Sequence, residues 1–295
     1  MKFKSGFVAI IGRPNVGKST LLNDLIGEKI SIISDKPQTT RNQIKCIYTD
    51  ENMQVVFLDT PGIQKPKNAL GEYMEEQTME SLKDVDAIVF IVDHSTEIGK
   101  WDHFILEQLR PMKTKKILIV NKIDLIDNEQ LVNIVEKYNN MGIFNQIIPM
   151  SASNGENTDA LLKVLYSELK EGPMYYPDDM ITDQTERVII GEIIREKSLR
   201  YLDQEVPHGI AVEIVQFKER KDKEIIDVQA VIYCEKESHK GIIIGKNGRK
   251  LKGIGKSARE EMEKFMGCQI NLQIWVKVNK NWREKTHLIQ RMGYK

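Results

Sequence analysis

A glycine-rich loop set between a strand and a helix constrains this chain more than any other feature. The segment from Gly12 to Ser19 reads G-x-x-x-x-G-K-S, and it lies between the apolar run Phe7–Ile11 and the helical stretch Thr20–Ile26. Backbone N–H groups of such a loop and the N-terminus of the helix converge on phosphate oxygens. Lys18 adds a positive charge at the β- and γ-phosphates, and the Ser19 hydroxyl is an oxygen ligand for Mg²⁺. The motif therefore predicts a nucleoside triphosphate site.

Two motifs that follow later strands predict that the base is guanine. In Asn121-Lys-Ile-Asp124 the Asp124 carboxylate is placed to accept hydrogen bonds from N1–H and the N2 amino group of guanine. Adenine offers neither donor in that arrangement, so the discrimination rests on hydrogen bonds and is strong. Ser151-Ala-Ser153 follows the last strand of this region, where we expect the Ala152 amide to donate to guanine O6.

Two further motifs predict the Mg²⁺ shell and the γ-phosphate contact. The strand Gln54–Leu58 ends in Asp59-Thr-Pro-Gly62, where the Asp59 carboxylate holds Mg²⁺ through water and the Gly62 amide reaches the γ-phosphate. Pro37-Gln-Thr-Thr-Arg41 lies in the long segment after the first helix, and a threonine there joins the Mg²⁺ shell only when the γ-phosphate is present. Five motifs in this order and spacing are typical of a GTPase domain.

One position departs from the pattern of Ras-like GTPases. Ile63 follows Gly62 at the place where Ras-like proteins have a glutamine that orients the attacking water, and Gln64 lies one residue too late to replace it. We therefore expect slow hydrolysis unless another group or a cation assists. Asn15 resembles the residue that binds K⁺ in related potassium-stimulated GTPases, which makes K⁺ a candidate cofactor. An equally good interpretation is that Asn15 satisfies backbone groups of its own loop.

Length and charge divide the chain into two parts. Its 295 residues suggest two domains, and the total charge is zero. Residues 1–182 carry 20 basic and 26 acidic side chains, a net of −6, whereas residues 183–295 carry 23 and 17, a net of +6. Residues 238–295 alone have 14 basic and 4 acidic side chains, a net of +10. A local excess of this kind indicates a polyanion partner.

Cysteine, histidine and apolar content exclude several classes of protein. Three widely separated cysteines and five scattered histidines form no zinc-site or disulfide pattern, which fits a reducing compartment. The longest apolar runs, such as Ala87–Val92, are far short of the ~20 residues of a membrane span. We also recognise no signal peptide. We therefore expect a cytoplasmic protein.

The order of secondary structure also changes between the two parts. Over residues 1–170, continuous apolar strands alternate with helical segments, which predicts an α/β domain with a mostly parallel sheet and helices on both faces. Residues 171–182, with two prolines close together, are interpreted as a linker. Over residues 183–295 we expect a smaller α+β domain with the order helix, strand, strand, helix, helix, strand.

A glycine loop in the second domain indicates an RNA-binding site. Gly245-Lys-Asn-Gly248 lies between two helices, and Arg249, Lys250 and Lys252 follow it. G-x-x-G between helices in this order of elements is the type II KH arrangement, in which the loop clamps the backbone of a single strand. Trp275 and Trp282 are able to stack on bases, and Trp275 lies on the polar face of its strand, which favours a surface role. A short basic helix is predicted at Trp282–Met292, at the end of the chain. Burial under this helix is the preferred interpretation for both tryptophans, so they are left outside the predicted site.

The combination of motifs resembles the Era family of bacterial GTPases over nearly the whole chain, including the hydrophobic residue at Ile63. The resemblance implies phosphate binding by Gly12–Gly17 and Lys18, Mg²⁺ binding by Ser19 and Thr40, and guanine binding by Asn121 and Asp124. Thr40 is preferred to Thr39 because it immediately precedes Arg41. Lys18, Thr40 and Gly62 are the predicted catalytic residues, and Asp59 completes the predicted metal site. The full set predicted to bind nucleotide is Gly12, Arg13, Pro14, Asn15, Val16, Gly17, Lys18, Ser19, Thr20, Asp59, Thr60, Pro61, Gly62, Ile63, Asn121, Lys122, Asp124, Ser151, Ala152 and Ser153.

The same resemblance implies the partners. It implies binding of 16S rRNA near its 3′ end, a role in maturing the small ribosomal subunit, and a loose association with the inner face of the membrane. We expect a monomer with no DNA partner. Two alternatives stay open: an RNA chaperone whose nucleotide is mainly structural, and a membrane-associated or cell-cycle signalling GTPase whose basic C-terminal region binds anionic lipid.

Overall fold

The computed structural model describes residues 2–34, 36, 39–220 and 224–294, so Pro37 and Gln38 of the predicted Pro37–Arg41 motif lie outside the described residues. The chain forms two compact units. The first comprises the residues up to Ile33, Thr40–Lys65 and Met74–Asp183. The second comprises Ser34–Thr39, Pro66–Tyr73 and the residues from Gln184 onward. Two short stretches of the first half of the sequence therefore belong to the second unit.

Within the described residues the first unit contains a six-stranded sheet in the order β2-β3-β1-β4-β5-β6. All neighbouring pairs are parallel except β2 and β3. The predicted mostly parallel sheet is confirmed. The strands are β1 (Lys4–Gly12), β2 (Ile44–Thr49), β3 (Met53–Asp59), β4 (Ala87–Val92), β5 (Lys115–Asn121) and β6 (Gln146–Met150).

Helices cover both faces of this sheet, because its strands carry apolar residues on both sides. Val8 and Ile10 of β1 belong to one core cluster, together with residues of α1 and α5, whereas Ala9 and Ile11 belong to a second cluster, with residues of α3 and α4. The clusters form separate cores on opposite faces, as expected for a buried parallel sheet. The helices of this unit are α1 (Lys18–Ile26), α3 (Lys100–Leu109), α4 (Asn128–Asn139) and α5 (Thr158–Glu168), and the residues of α2 (Ala69–Ser81) divide between the two units.

Two elements have weak sequence signals and were not predicted: a strand of the first unit, and a helix whose residues divide between the two units. The antiparallel edge strand β2 mixes buried Cys46 with half-buried Lys45 and Tyr48, so its apolar run is short. Helix α2 contains four glutamates and few large apolar residues, so it lacks a broad apolar face. Pairing with β3, and not a pattern of its own, defines β2.

The second unit has the predicted KH order of elements. In its described residues, three strands are ordered β7-β8-β9, with β7 and β8 antiparallel and β8 and β9 parallel. The α+β character and the KH topology are confirmed. The elements are α6 (Glu186–Tyr201), β7 (Ala211–Glu219), β8 (Ile225–Cys234), α7 (Glu237–Ile244), α8 (Arg249–Met266), β9 (Gln269–Val278) and α9 (Thr286–Arg291).

The segment predicted as a linker, residues 171–182, groups with the first unit. The fully buried Gln54 side chain accepts hydrogen bonds from the Tyr175 and Tyr176 amides at 2.7 and 3.0 Å and donates to the Tyr176 carbonyl at 2.9 Å. Further along, the Ile47 amide donates to the Ile181 carbonyl at 2.8 Å. These bonds attach the segment to β3 and β2.

None of the helices in the described part of the chain has the length and apolar content that crossing a bilayer requires.

Candidate functional site

The carboxyl ends of the parallel strands bring the predicted nucleotide residues to one edge of the sheet. Strands β1, β3 and β5 end at Gly12, Asp59 and Asn121, and Ser151 follows β6 directly. The loops that leave such strand ends form the crevice in which open α/β sheets bind ligands. Motifs far apart in sequence therefore become neighbours.

Lys18 is held at the start of α1 inside the phosphate loop. Its side chain is buried, and its ammonium group donates to the carbonyl oxygens of Gly12 at 3.2 Å and Arg13 at 3.0 Å. Burial lowers the pKa of Lys18 to about 8, and the charge of Asp59 opposes this shift. An enclosed ammonium group beside a helix N-terminus is suited to polyanionic phosphates.

Three oxygen-bearing side chains meet at the predicted metal site. The Ser19 hydroxyl donates to Asp59 Oδ2 at 3.1 Å and lies 3.3 Å from Thr40 Oγ1. Asp59 is fully buried, and among the described residues its Oδ1 atom has no hydrogen-bond partner. Burial raises the pKa of this carboxyl group, whereas the Lys18 charge lowers it. Two hydroxyls and a buried carboxylate with a spare oxygen fit Mg²⁺, which prefers hard oxygen ligands.

Gly62 approaches the phosphate loop too closely for any larger residue. A Cβ atom built there would lie 2.8 Å from the Pro14 nitrogen and 3.0 Å from its Cα. The next amide, of Ile63, donates to the Gly12 carbonyl at 3.2 Å, while the Ile63 side chain is 4% exposed and packs in the core. The Ile63 side chain is therefore directed into the core, where it cannot orient water.

The two predicted guanine motifs are joined by hydrogen bonds. Asn121 Nδ2 donates to the Val16 carbonyl at 2.8 Å, and the Ala152 amide donates to Asn121 Oδ1 at 3.0 Å. The Ser151 hydroxyl donates to Asp124 Oδ1 at 2.5 Å and lies 3.2 Å from the Ser153 hydroxyl. These bonds orient the Asp124 carboxylate. Donation from the Ala152 amide to guanine O6 stays a prediction, because that amide is engaged by Asn121 here.

The remaining predicted residues line or support this site. Lys122 Nζ donates to the Asn15 carbonyl at 2.8 Å, and Asn15 itself is exposed with a left-handed φ of 66°. The Thr60 hydroxyl donates to the Ile10 carbonyl at 2.8 Å, and the Pro61 carbonyl accepts from Thr78 Oγ1 at 3.1 Å. Both contacts fix the turn that presents Gly62.

The predicted RNA loop is a tight turn that opens helix α8. The residues Lys246–Gly248 form a single tight turn in which the Gly248 amide donates to the Gly245 carbonyl at 3.0 Å. Gly245 and Gly248 have φ values of 70° and 73°, in the left-handed region that favours glycine. Asn247 also has a positive φ, 54°. The turn presents exposed Lys246 and Asn247 beside the N-terminus of α8.

Four basic side chains lie in this loop or directly after it. Within the described residues no ion pair involves Lys246, Arg249, Lys250 or Lys252, and all of these except half-buried Lys250 are exposed. One turn further along α8, Lys256 lies 3.8 Å from Glu260 and Arg259 lies 3.8 Å from Glu263. Positive charge is therefore concentrated at the loop, as phosphate binding requires.

Family models match each unit in turn. A model described as a 50S ribosome-binding GTPase matches residues 7–122, and a KH domain model matches residues 205–283. GTPase Era of Clostridioides difficile (strain 630) is 62% identical over 293 residues, which cover 99% of this chain and 99% of that protein. The chain belongs to the Era family of GTPases. GTPase Era of Alkaliphilus metalliredigens (strain QYMF) is similar as well, 57% identical over 294 residues and the full length of both chains.

Solved Era structures match the whole chain. One is Era in complex with MgGDPNP and nucleotides 1506–1542 of 16S ribosomal RNA, with a TM-score of 0.96, 39% identity and 99% coverage of each chain. Another is a variant of Aquifex aeolicus Era bound to GDP·AlF4⁻, with a TM-score of 0.96, 38% identity and the same coverage. The predictions of a GTPase and of a two-domain Era-type fold are confirmed.

The expected burial of the two tryptophans is right for one of them in this Era-family chain. Trp282 is fully buried, its Nε1 donates to the Gly209 carbonyl at 2.9 Å, and its ring stacks on Tyr294. Trp275 is 44% exposed, so the prediction of burial is wrong there. The reason is register: Trp275 lies between buried Val276 and half-buried Ile274 on β9, on the strand face opposite to Val276.

Sequence reasoning also missed two carboxylates near the phosphate loop, Asp93 and Asp102. Asp93 directly follows β4, and Asp102 lies in the first turn of α3. A polar residue at the carboxyl end of a parallel strand is a signal that would have pointed to Asp93. Asp102 has no such local signal.

Proposed function

We propose that this Era-family GTPase is a GTP-hydrolysing switch that binds 16S rRNA near its 3′ end through the KH domain and assists maturation of the small ribosomal subunit. The observation that carries the proposal is the match, with a TM-score of 0.96, to Era in complex with MgGDPNP and nucleotides 1506–1542 of 16S ribosomal RNA. The cations in and after the Gly245–Gly248 loop, which form no ion pair with any described residue, support the same partner.

The geometry supports a division of roles in the nucleotide site. Lys18 and the Gly62 amide bind the β- and γ-phosphates, Ser19, Thr40 and Asp59 hold Mg²⁺, and Asn121 and Asp124 select guanine. When bound, the metal neutralises charge that develops on the phosphate oxygens. Lys18 stabilises the same charge from a buried position, where water screens it little.

The switch consists of the segments that meet the γ-phosphate. GTP orders Thr40 and Gly62 around Mg²⁺ and the γ-phosphate, and hydrolysis releases both. Ser34–Thr39, which directly precedes Thr40, belongs to the second unit, and so does Pro66–Tyr73. The Thr39 carbonyl accepts a hydrogen bond from Arg195 of α6. This membership supports coupling between nucleotide state and RNA affinity, and such coupling is reciprocal.

Equilibrium binding of an RNA of the 16S 3′-terminal sequence tests the proposal. We expect tighter binding to the protein loaded with a non-hydrolysable GTP analogue than to the GDP form, and an equally large effect of RNA on GTP-analogue affinity. An unrelated single strand of the same length and anionic vesicles are the comparison ligands. Equal affinity for the two RNAs would exclude recognition of the 3′ end, and preferential vesicle binding would favour the lipid-binding alternative.

The finer parts of the proposal concern K⁺ and location. We propose that K⁺ bound near exposed Asn15 stimulates hydrolysis, since the buried Ile63 supplies no water-orienting group. Turnover that is the same in Na⁺ and K⁺ buffers would contradict this.

The family resemblance also supports a cytoplasmic monomer with a peripheral contact to the inner membrane face. Co-sedimentation with vesicles tests the membrane contact, and light scattering tests the monomeric state.

A further inference from the structure

The side chain of Arg13 is bound by two carboxylates, although the residue belongs to the phosphate loop. Its Nε donates to Asp102 at 2.8 Å and its Nη2 donates to Asp93 Oδ1 at 3.0 Å. Asp102 is 1% exposed, and it also accepts from the Gly99 amide at the start of α3, at 3.1 Å. Asp93 Oδ1 accepts in addition from the amide and hydroxyl of Ser95. The guanidinium group therefore connects the loop to the start of α3 and the end of β4.

The charge of Arg13 is neutralised within this cluster. The carboxylates raise the pKa of the guanidinium, whose partial burial alone would lower it. Burial raises the pKa of Asp102, and the Arg13 charge is the largest effect opposing it. The Arg13 charge therefore favours the ionised form of the buried Asp102 carboxylate and opposes the effect of burial on it.

The backbone of the same residue holds Lys18. Arg13 and Gly12 supply the two carbonyl oxygens that accept from the Lys18 ammonium group, at 3.0 and 3.2 Å. Pro14, the next residue, is the one that Gly62 approaches most closely. A displacement of Arg13 would therefore move both the Lys18 charge and the contact of Gly62 with the loop.

We propose that Arg13 is a positioning residue for nucleotide binding: its bonds to Asp102 and Asp93 hold the phosphate loop in the conformation that retains GDP and GTP. The side chain acts through the loop and not through contact with the nucleotide. The position of α3 then sets the rate of nucleotide release, because Asp102 in its first turn is the buried partner of Arg13.

Release of a fluorescent GDP analogue from full-length protein tests this inference. We expect Arg13→Gln and Asp102→Asn each to raise the dissociation rate about tenfold, since each breaks a charged hydrogen bond of a buried group. Arg13→Lys should raise the dissociation rate less than Arg13→Gln does, because an ammonium group can reach one carboxylate but lacks the planar fork of the guanidinium group. The double variant should release GDP no faster than the faster single variant, because both changes remove the same contact.

A core substitution separates positioning from general destabilisation. Ile134→Val removes one methylene from a side chain that is 1% exposed in the α4 core and is not among the predicted nucleotide-binding residues. It should lower the melting temperature without changing GDP release. The inference is overturned if Arg13→Gln and Asp102→Asn leave the release rate within twofold of the unsubstituted protein, if their effects multiply in the double variant, or if Ile134→Val speeds release equally. Should Arg13→Gln fail to fold, Asp102→Asn and Arg13→Lys decide the question by the same criteria.

Discussion

Asn121 Nδ2 donates a hydrogen bond of 2.8 Å to the carbonyl oxygen of Val16, so a residue of the guanine motif holds the phosphate loop directly. The other end of the same amide accepts from Ala152 at 3.0 Å. Asn121 is 2% exposed, and its two bonds join three loops that are separated in sequence. The predicted phosphate and guanine motifs are therefore joined in one hydrogen-bonded structure.

Asn121→Ala should weaken the binding of both GDP and GTP by about 10- to 100-fold. The change leaves the buried Val16 carbonyl and Ala152 amide without their partner, a loss of about 1–3 kcal/mol. Isothermal titration with each nucleotide measures it. Asn145→Ala is a matched control, because Asn145 accepts from the Lys116 amide at 2.9 Å elsewhere in the same unit. Equal losses for both variants would contradict a specific role of Asn121.

Gly62→Ala should reduce affinity for a GTP analogue more than affinity for GDP. The added Cβ would lie 2.8 Å from the Pro14 nitrogen, so Gly62 must move away from the phosphate loop. Its amide would then lose the γ-phosphate, which GDP lacks. Competition binding with both nucleotides measures the difference. Gly241→Ala is the control, since a Cβ there meets no atom within 4 Å. An equal loss for GDP and the GTP analogue would count against this role.

Lys246→Gln and Lys250→Gln should each weaken RNA binding at low salt and flatten its salt dependence. Each removed phosphate contact lowers the slope of log K against log salt by about 0.7 for a single strand. Fluorescence anisotropy over a series of KCl concentrations measures both quantities. Lys256→Gln provides the comparison, because Lys256 lies 3.8 Å from Glu260 on the same helix. A slope unchanged in the first two variants would show that these lysines contact no phosphate.

Trp282→Ala should destabilise the second unit by about 3–5 kcal/mol, the range for removing a large buried aromatic side chain. Trp282 is fully buried, its ring stacks on Tyr294, and its indole N–H donates to the Gly209 carbonyl. Urea denaturation followed by circular dichroism measures the loss. Trp275→Ala should change stability by no more than about 0.5 kcal/mol, because Trp275 is 44% exposed. Similar losses at both positions would contradict this assignment of burial.

Much of the fold and of the candidate site could be predicted because the informative residues are contiguous. A strand, a glycine loop and a helix follow one another at Gly12–Ser19, and each motif adjoins its own strand. Apolar and polar residues also alternate along β9, and this local pattern matches its burial, with Ile270 and Val276 inside. Strand β2 escaped prediction because its pairing with β3 and with Ile181, rather than its own pattern, defines it.

The sequence by itself predicted the chemistry of each loop: which loop would bind phosphate, which would select guanine, and which glycines allow a left-handed turn beside basic residues. Only the tertiary structure decided which distant side chains support those loops. Asn121 reaches Val16 across 105 residues, and Arg13 meets Asp93 and Asp102 across 80 and 89 residues. Such contacts depend on the order and register of strands in the sheet, which bring loops together and which no local pattern of residues encodes.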